Sequence, residues 1–296
     1  MVRAALAVAA LALASALASA LALAGNPALE LRPLGAAPPE QPARALGPGQ
    51  LPHSEVATGS RDVARAWLAR PTDRYPHAVL GDALEASQLV VEMRDGRAVH
   101  VELPPNRVFE DLAPRLADLD GDGRDEILVV ESDLRLGASL SVYGVRADGL
   151  QRRASSGFLG QPNRWLNPLG AGDFDGDGKL DLALVATPHI GGALRLYRYA
   201  EPALIPFAEF SGVSTHSLGS TELGLGRVVK RSPRDRLLMP DATMRALRLL
   251  EWTPGGVVEI ARVALPSRPE GSLVPAGENR WRLRLEGGET IELLAR

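Results

Sequence analysis

The sequence predicts an all-β chain assembled from repeated multi-stranded units, and three observations carry that prediction. Two acidic strings, DLDGDGRDE at Asp118 to Glu126 and DFDGDGKLD at Asp173 to Asp181, match position by position. Each opens a short apolar run, Ile127-Leu128-Val129-Val130 in one and Leu182-Ala183-Leu184-Val185 in the other, with turn signals soon after. Such runs read as strands rather than helices. The two first aspartates are 55 residues apart, and the flanks recur with them: Pro105-Asn106-Arg107 before one loop and Pro162-Asn163-Arg164 before the other. A period of this length with several short strands per unit is the signature of propeller blades.

Within each string, oxygen side chains fall at places one, three, five and nine: Asp118, Asp120, Asp122 and Glu126, then Asp173, Asp175, Asp177 and Asp181. Carboxylates this close repel one another unless a hard cation lies between them. Calcium takes six to eight oxygens, including backbone carbonyls. The carbonyls of Arg124 and Lys179, at place seven, complete the expected ligand set. An EF-hand would need a glutamate at place twelve and flanking helices. Place twelve is Val129 or Leu184, so that alternative is excluded.

Weaker copies of the unit follow from the same template. Gly224-Leu225-Gly226 and Arg236-Leu237-Leu238-Met239 stand where a third loop and strand belong, without the acidic ligands. Ala78-Val79-Leu80 with Gln88-Leu89-Val90-Val91 reads as an earlier unit. Ser272-Leu273-Val274, Trp281 to Leu285 and Thr290 to Leu293 read as a last, three-stranded one. Units are therefore expected near residues 75, 110, 165, 217 and 270. A seven-bladed ring would need roughly 350 residues at about fifty per blade, within the four to eight blades that propellers use. Five short blades fit. Because an open last blade leaves sheet edges unpaired, Val63 to Leu68 is expected to return as the outer strand of the last unit; a short helix over the ring is the alternative.

The loops and the strands behind them resemble FG-GAP or VCBS-type repeats, whose blades are similar to those of the integrin α-chain propeller. The resemblance covers roughly residues 73 to 296. It implies blade type and calcium, and no reaction; the wording Arg74-Tyr75-Pro76-His77 is similar to an uncharacterised bacterial subgroup.

The N-terminus reads as an export signal. Arg3 precedes an Ala/Leu run from Ala4 to Leu23, and Ala22-Leu23-Ala24 before Gly25 is a small-x-small cleavage site. Residues 1–24 are assigned to that signal, 25–58 to a Pro/Ala-rich flexible linker, and 59–296 to the propeller. The expected location is periplasmic or secreted, with no membrane span after cleavage. A retained anchor is the alternative. The chain has no cysteine and a formal net charge of −3, so disulfides and nucleic-acid binding are not expected.

In propellers of this resemblance, the calcium loops lie on one face and the hairpins on the other. On that other face, a basic residue precedes every unit: Arg74, Arg107, Arg164, His216 and Arg268. Tyr75, Phe109 and Trp165 stand beside three of them, and His189 and Asp241 lie in neighbouring hairpins. Arginine with aromatics suits carboxylate-bearing ligands and sugar faces. Arg74, Arg107, Arg164, His189, His216 and Asp241 are thus candidate ligand contacts, with carbohydrate or an envelope protein as the expected partner. The competing reading is that these arginines only fix blade junctions by pairing Glu110 or Asp111. No residue pattern identifies catalysis; a polysaccharide lyase or hydrolase, and a cell-envelope assembly subunit, are the alternatives to a binding module.

Overall fold

The computed structural model describes residues 28–36 and 47–296. The expected signal segment, residues 1–24, lies outside them. Among the described residues there is no helix, and none long and apolar enough to cross a membrane. The described residues form twenty-one strands.

The N-terminal strand β1 (Leu29–Ala36) belongs to the last sheet. Sheet 1 contains β2 (Ala57–Thr58), β3 (Val63–Thr72), β4 (Glu85–Met93) and β5 (Ala98–Glu102). Sheet 2 contains the short β6 (Arg107–Phe109) and β7 (Arg115–Ala117), both paired with β8 (Glu126–Asp133), then β9 (Gly137–Arg146) and β10 (Gly149–Ser155). Sheet 3 runs β11 (Leu166–Gly172), β12 (Asp181–Ala186), β13 (Ala193–Ala200), β14 (Ala203–Ser211). Single residue pairs, Ala86 with Phe109 and Ser155 with Ala203, are the ladder contacts joining these three. Sheet 4 runs β15 (Arg227–Val229), β16 (Arg236–Pro240), β17 (Ala246–Thr253), β18 (Gly256–Ala264). Sheet 5 runs β19 (Val274–Gly277), β20 (Arg280–Arg284), β21 (Glu289–Ala295), with β1 outermost.

Burial along the second strand of each sheet records its neighbours. All eight residues of β8 and all six of β12 are buried, as strands covered on both faces must be. Strand β20 instead alternates, with Trp281 and Leu283 inward and Arg282 and Arg284 in solvent. Three apolar clusters follow the same order. One spans sheets 1 to 3, one joins sheets 3 and 4, and one joins sheets 4 and 5. Among the described residues no apolar cluster joins sheet 5 to sheet 1.

Two expectations are corrected. Val63 to Leu68 does not close the last unit; it lies in β3 and pairs with β4, setting Ala66 opposite Val91 and Leu68 opposite Leu89 in the core. The outer strand of sheet 5 is β1, in what was assigned to the linker, and Leu29 opposite Ala295 starts its register. Leu29 and Leu31 alternate with Glu30 and Arg32, so one face of β1 joins the core beside Leu293. Residues 47–58 are ordered too: Leu51 N donates to Leu68 O at 2.9 Å, and Trp67 Nε1 donates to Pro48 O. Sheet 1 thus begins before residue 75, and Ala78–Leu80 belongs to the β3–β4 connection.

Candidate functional site

In an antiparallel sheet successive connections fall at opposite ends of the strands. The acidic strings are the first-to-second connections of sheets 2 and 3, between β7 and β8 and between β11 and β12. Contacts align them with the equivalent connections of their neighbours. Asp125 N donates to Asp62 Oδ1 of the β2–β3 connection at 2.8 Å. Asp235 N, before β16, donates to Asp173 O at 2.8 Å, and Asp173 N returns a bond to Asp235 Oδ2 at 3.0 Å.

The two loops fold by the same local rules. The first aspartate accepts two backbone N–H groups, Gly121 and Gly123 on Asp118, Gly176 and Gly178 on Asp173. The third and fifth residues accept from two positions on: Asp122 N on Asp120, Arg124 N on Asp122, Asp177 N on Asp175, Lys179 N on Asp177. All four glycines have positive φ, between 77° and 85°, which side chains rarely adopt. The result gathers carboxylate oxygens of Asp118, Asp120 and Glu126 within 4.8 Å of one another, and likewise those of Asp173, Asp175 and Asp177.

The ninth residue of each loop supplies the test of fit. Glu126 and Asp181 are the first residues of β8 and β12 and are buried. Glu126 Oε1 and Asp181 Oδ2 have no hydrogen-bond partner. Burial, and then the neighbouring loop carboxylates, push each up to about 7. An orphaned, buried carboxylate oxygen beside a group of other carboxylates is a site that a divalent cation fits.

At the opposite end of the strands the candidate ligand residues separate into two classes. Arg74 Nε donates to Arg107 O at 2.9 Å and its Nη2 reaches Leu103 O, binding sheet 1 to sheet 2. Arg107 stands 3.6 Å from the buried Glu131 and lies over the Phe158 ring. Asp241 accepts from Thr243, from Arg245 N and from Arg262, which closes its own turn. These three are engaged within the fold. Arg164 has only its neighbour's carbonyl, Asn163 O at 3.2 Å, and no carboxylate among the described residues. Glu110 pairs with His77 and Asp111 with Arg115, so neither serves the arginines that precede the units.

His189 and His216 do come together. His216 Nε2 donates to Ser220 O at 2.8 Å, which leaves its Nδ1 to accept from His189 Nε2 at 2.5 Å. Both rings pack on Trp165. Burial lowers both to about 4, so the pair is neutral near pH 7. A buried network escaped the sequence reading: His77 Nδ1 lies 2.5 Å from Glu110 Oε1, Ser132 donates to Glu110 Oε2, and Glu85 is fully buried with neither oxygen partnered. Burial raises Glu85 to about 10, so it is a neutral acid. No spacing signal precedes this network, since its members come from the β3–β4 connection, β4, the β6–β7 segment and β8.

An FG-GAP-like repeat is matched over residues 118–184, and the chain carries that repeat there. The match runs from the first residue of one acidic loop, through the other loop, into β12. FG-GAP repeats form propeller blades. No curated protein matches the chain.

Proposed function

We propose that the chain is an exported, calcium-stabilised β-propeller that acts as a binding module through the face opposite its calcium loops. The observation that carries the calcium reading is the pair of buried oxygens without a hydrogen-bond partner, Glu126 Oε1, which has only Arg146 Nη2 at 3.8 Å, and Asp181 Oδ2. In each loop calcium would be held by the four side chains and by the carbonyl of Arg124 or Lys179. Its chemistry there is to neutralise and cross-link carboxylates that open a core strand. The five sheets are read as five blades, with β1 bringing the N-terminal part of the chain into the last of them.

The test is thermal unfolding of the full chain with and without EGTA. A ligand that binds only the folded form at a hundredfold excess over its Kd stabilises by about 2.7 kcal/mol. Two sites should therefore lower the melting temperature by several degrees when stripped, with calcium restoring it better than magnesium. A melting temperature indifferent to EGTA would remove the calcium reading. Export is checked separately, by N-terminal sequencing of the protein recovered outside the cytoplasm, where residue 25 should come first.

The alternative as a polysaccharide-active enzyme draws on one observation, the buried Glu110 that orients His77 and leaves its Nε2 open. Glu110→Gln should abolish any such turnover while leaving calcium stoichiometry alone.

A further inference from the structure

At the end of the strands away from the acidic loops, four large aliphatic side chains stand in solvent, one from each of sheets 1 to 4. They are Leu84, Leu136, Ile190 and Leu218, the last two 64% and 72% exposed. Their loops are tied to one another. The Ile190 and Leu218 loops meet through the bond between His189 and His216. Gly219 N donates to Val79 O at 3.0 Å, setting the Leu218 loop against the connection that ends at Leu84. The Leu136 hairpin is held by Ala138 N on Arg164 O at 2.8 Å, directly before Trp165, on which His189 stacks.

Arginines interleave with these tips. Arg135 precedes Leu136, Arg164 precedes Trp165, and Arg245 follows Met244, whose sulfur receives the Ser217 hydroxyl beside Leu218. Among the described residues none of the three has a carboxylate within ion-pair distance. Most carboxylates of the same sector are engaged: Glu110 with His77, Glu131 with Tyr143, Asp133 with Asn106, Asp241 with Arg262. On the sheet 1 side, Asp82 accepts from Leu84 N and Asp73 is exposed. Glu222, Glu270 and Glu286 gather instead around a hollow of about 190 Å³ between sheets 4 and 5, and mark the border of the patch. The surface therefore offers exposed apolar tips and, on the side of sheets 2 to 4, arginines without a carboxylate partner.

The three aromatic rings that precede the units are not offered to a sugar, and the partly buried Phe158 ring is covered by Arg107. Tyr75, Phe109 and Trp165 are 3%, 0% and 2% exposed. Aliphatic tips carried on loops that are bonded to one another suit contact with protein when they act as one patch, and unpaired arginines select an acidic partner. We infer that the ligand of this face is a protein segment bearing both acidic and large apolar side chains, and not a carbohydrate. This rests on the binding-module reading and narrows it.

The test selects a phage-displayed random peptide library on the immobilised full chain, with a glycan array probed in parallel. Enriched peptides should combine Asp or Glu with Leu, Ile or Phe. Their affinity should fall about tenfold or more in the Ile190→Asp, Leu218→Asp double variant and in Arg164→Glu, with melting unchanged because all three side chains lie at the surface. Salt should weaken them. Enrichment of basic or purely polar peptides, or binding indifferent to the double variant, overturns the inference. So does a glycan that binds wild type and is lost only in Arg164→Glu, although the binding-module reading then survives. No enriched peptide and no glycan retained at a Kd below about 1 mM overturns both.

Discussion

The loops at 118–126 and 173–181 share their spelling and hydrogen bonds, yet the connection at the same place in sheet 4 handles its charge differently. There, between β15 and β16, Lys230 Nζ lies 2.7 Å from the buried Asp235 carboxylate. The chain supplies its own cation, and one carboxylate suffices. In each acidic loop three carboxylates come within 4.8 Å of one another, and the nearest guanidiniums do not match them in number. On the calcium reading proposed above, the same corner would be held either by an internal ammonium or by an ion taken from solution. The two acidic loops also differ from each other. Arg198 Nη2 sits 2.7 Å from Asp175 Oδ2, whereas in the first loop Arg61 and Arg146 stay 3.4 and 3.8 Å from Asp118 and Glu126. An ion entering the second loop has to displace a formed salt bridge.

The comparison is broken most directly by removing a ligand. Asp120→Ala and Asp175→Ala should each eliminate one bound calcium per chain, and the double variant both, as counted by calorimetry; a single site in wild type would refute the pairing. Lys230→Met should leave calcium stoichiometry unchanged while costing about 1 kcal/mol or less, read from chemical unfolding, because the Lys230 side chain is more than half exposed and Asp235 keeps bonds from Asp173 N and Arg231 N.

Proton competition sharpens it next. Glu126 and Asp181 are pushed up to about 7 from ordinary values near 4.5 and 3.8. A carboxyl raised on folding favours the folded state below its unfolded pKa, and that stability is lost as pH rises through the folded value. Calcium-free protein should therefore lose stability between about pH 4 and 7, whereas calcium affinity, which needs the ionised form, should rise over the same range. A calcium affinity equal at pH 5.5 and 7.5 would contradict this placement of both side chains.

Smaller still is the effect of Arg198. Because its side chain is half exposed, Arg198→Ala should tighten the second loop by only a few-fold, as screened surface pairs are weak. The first loop should not change. Titration of the Asp120→Ala variant, which isolates the second loop, measures it. A weaker second loop in that variant would mean that Arg198 positions Asp175 rather than competing for it.

On the opposite face the same kind of contrast separates Arg107 from Arg164. Glu131, beside Arg107, is fully buried and keeps Tyr143 and Arg152 as other partners. Arg107→Ala should cost about 1–2 kcal/mol, and Arg164→Ala almost nothing, in chemical unfolding. Equal losses would show that Arg164 has a structural partner after all.

The acidic loops could be read from the sequence because every feature they need is local. Side-chain oxygens at fixed spacing, glycines at positive φ and an apolar strand just behind them all lie within about a dozen residues. The strands β8, β12 and β16 were legible for the same reason, since an apolar run between turns has few other fates. The signal in β1 was also there, as Leu29 and Leu31 alternate with Glu30 and Arg32, but the surrounding prolines and alanines masked it. Which strand fills an outer edge is a choice between distant segments. It is decided by which core face is left open, and β1 took that edge while Val63–Thr72 took β4. The sorting of Arg74, Arg107 and Arg164 was likewise invisible. All three precede a unit in the same way, and only the packing of neighbouring sheets determines which guanidinium meets a carbonyl, which a buried carboxylate, and which is left to face solvent.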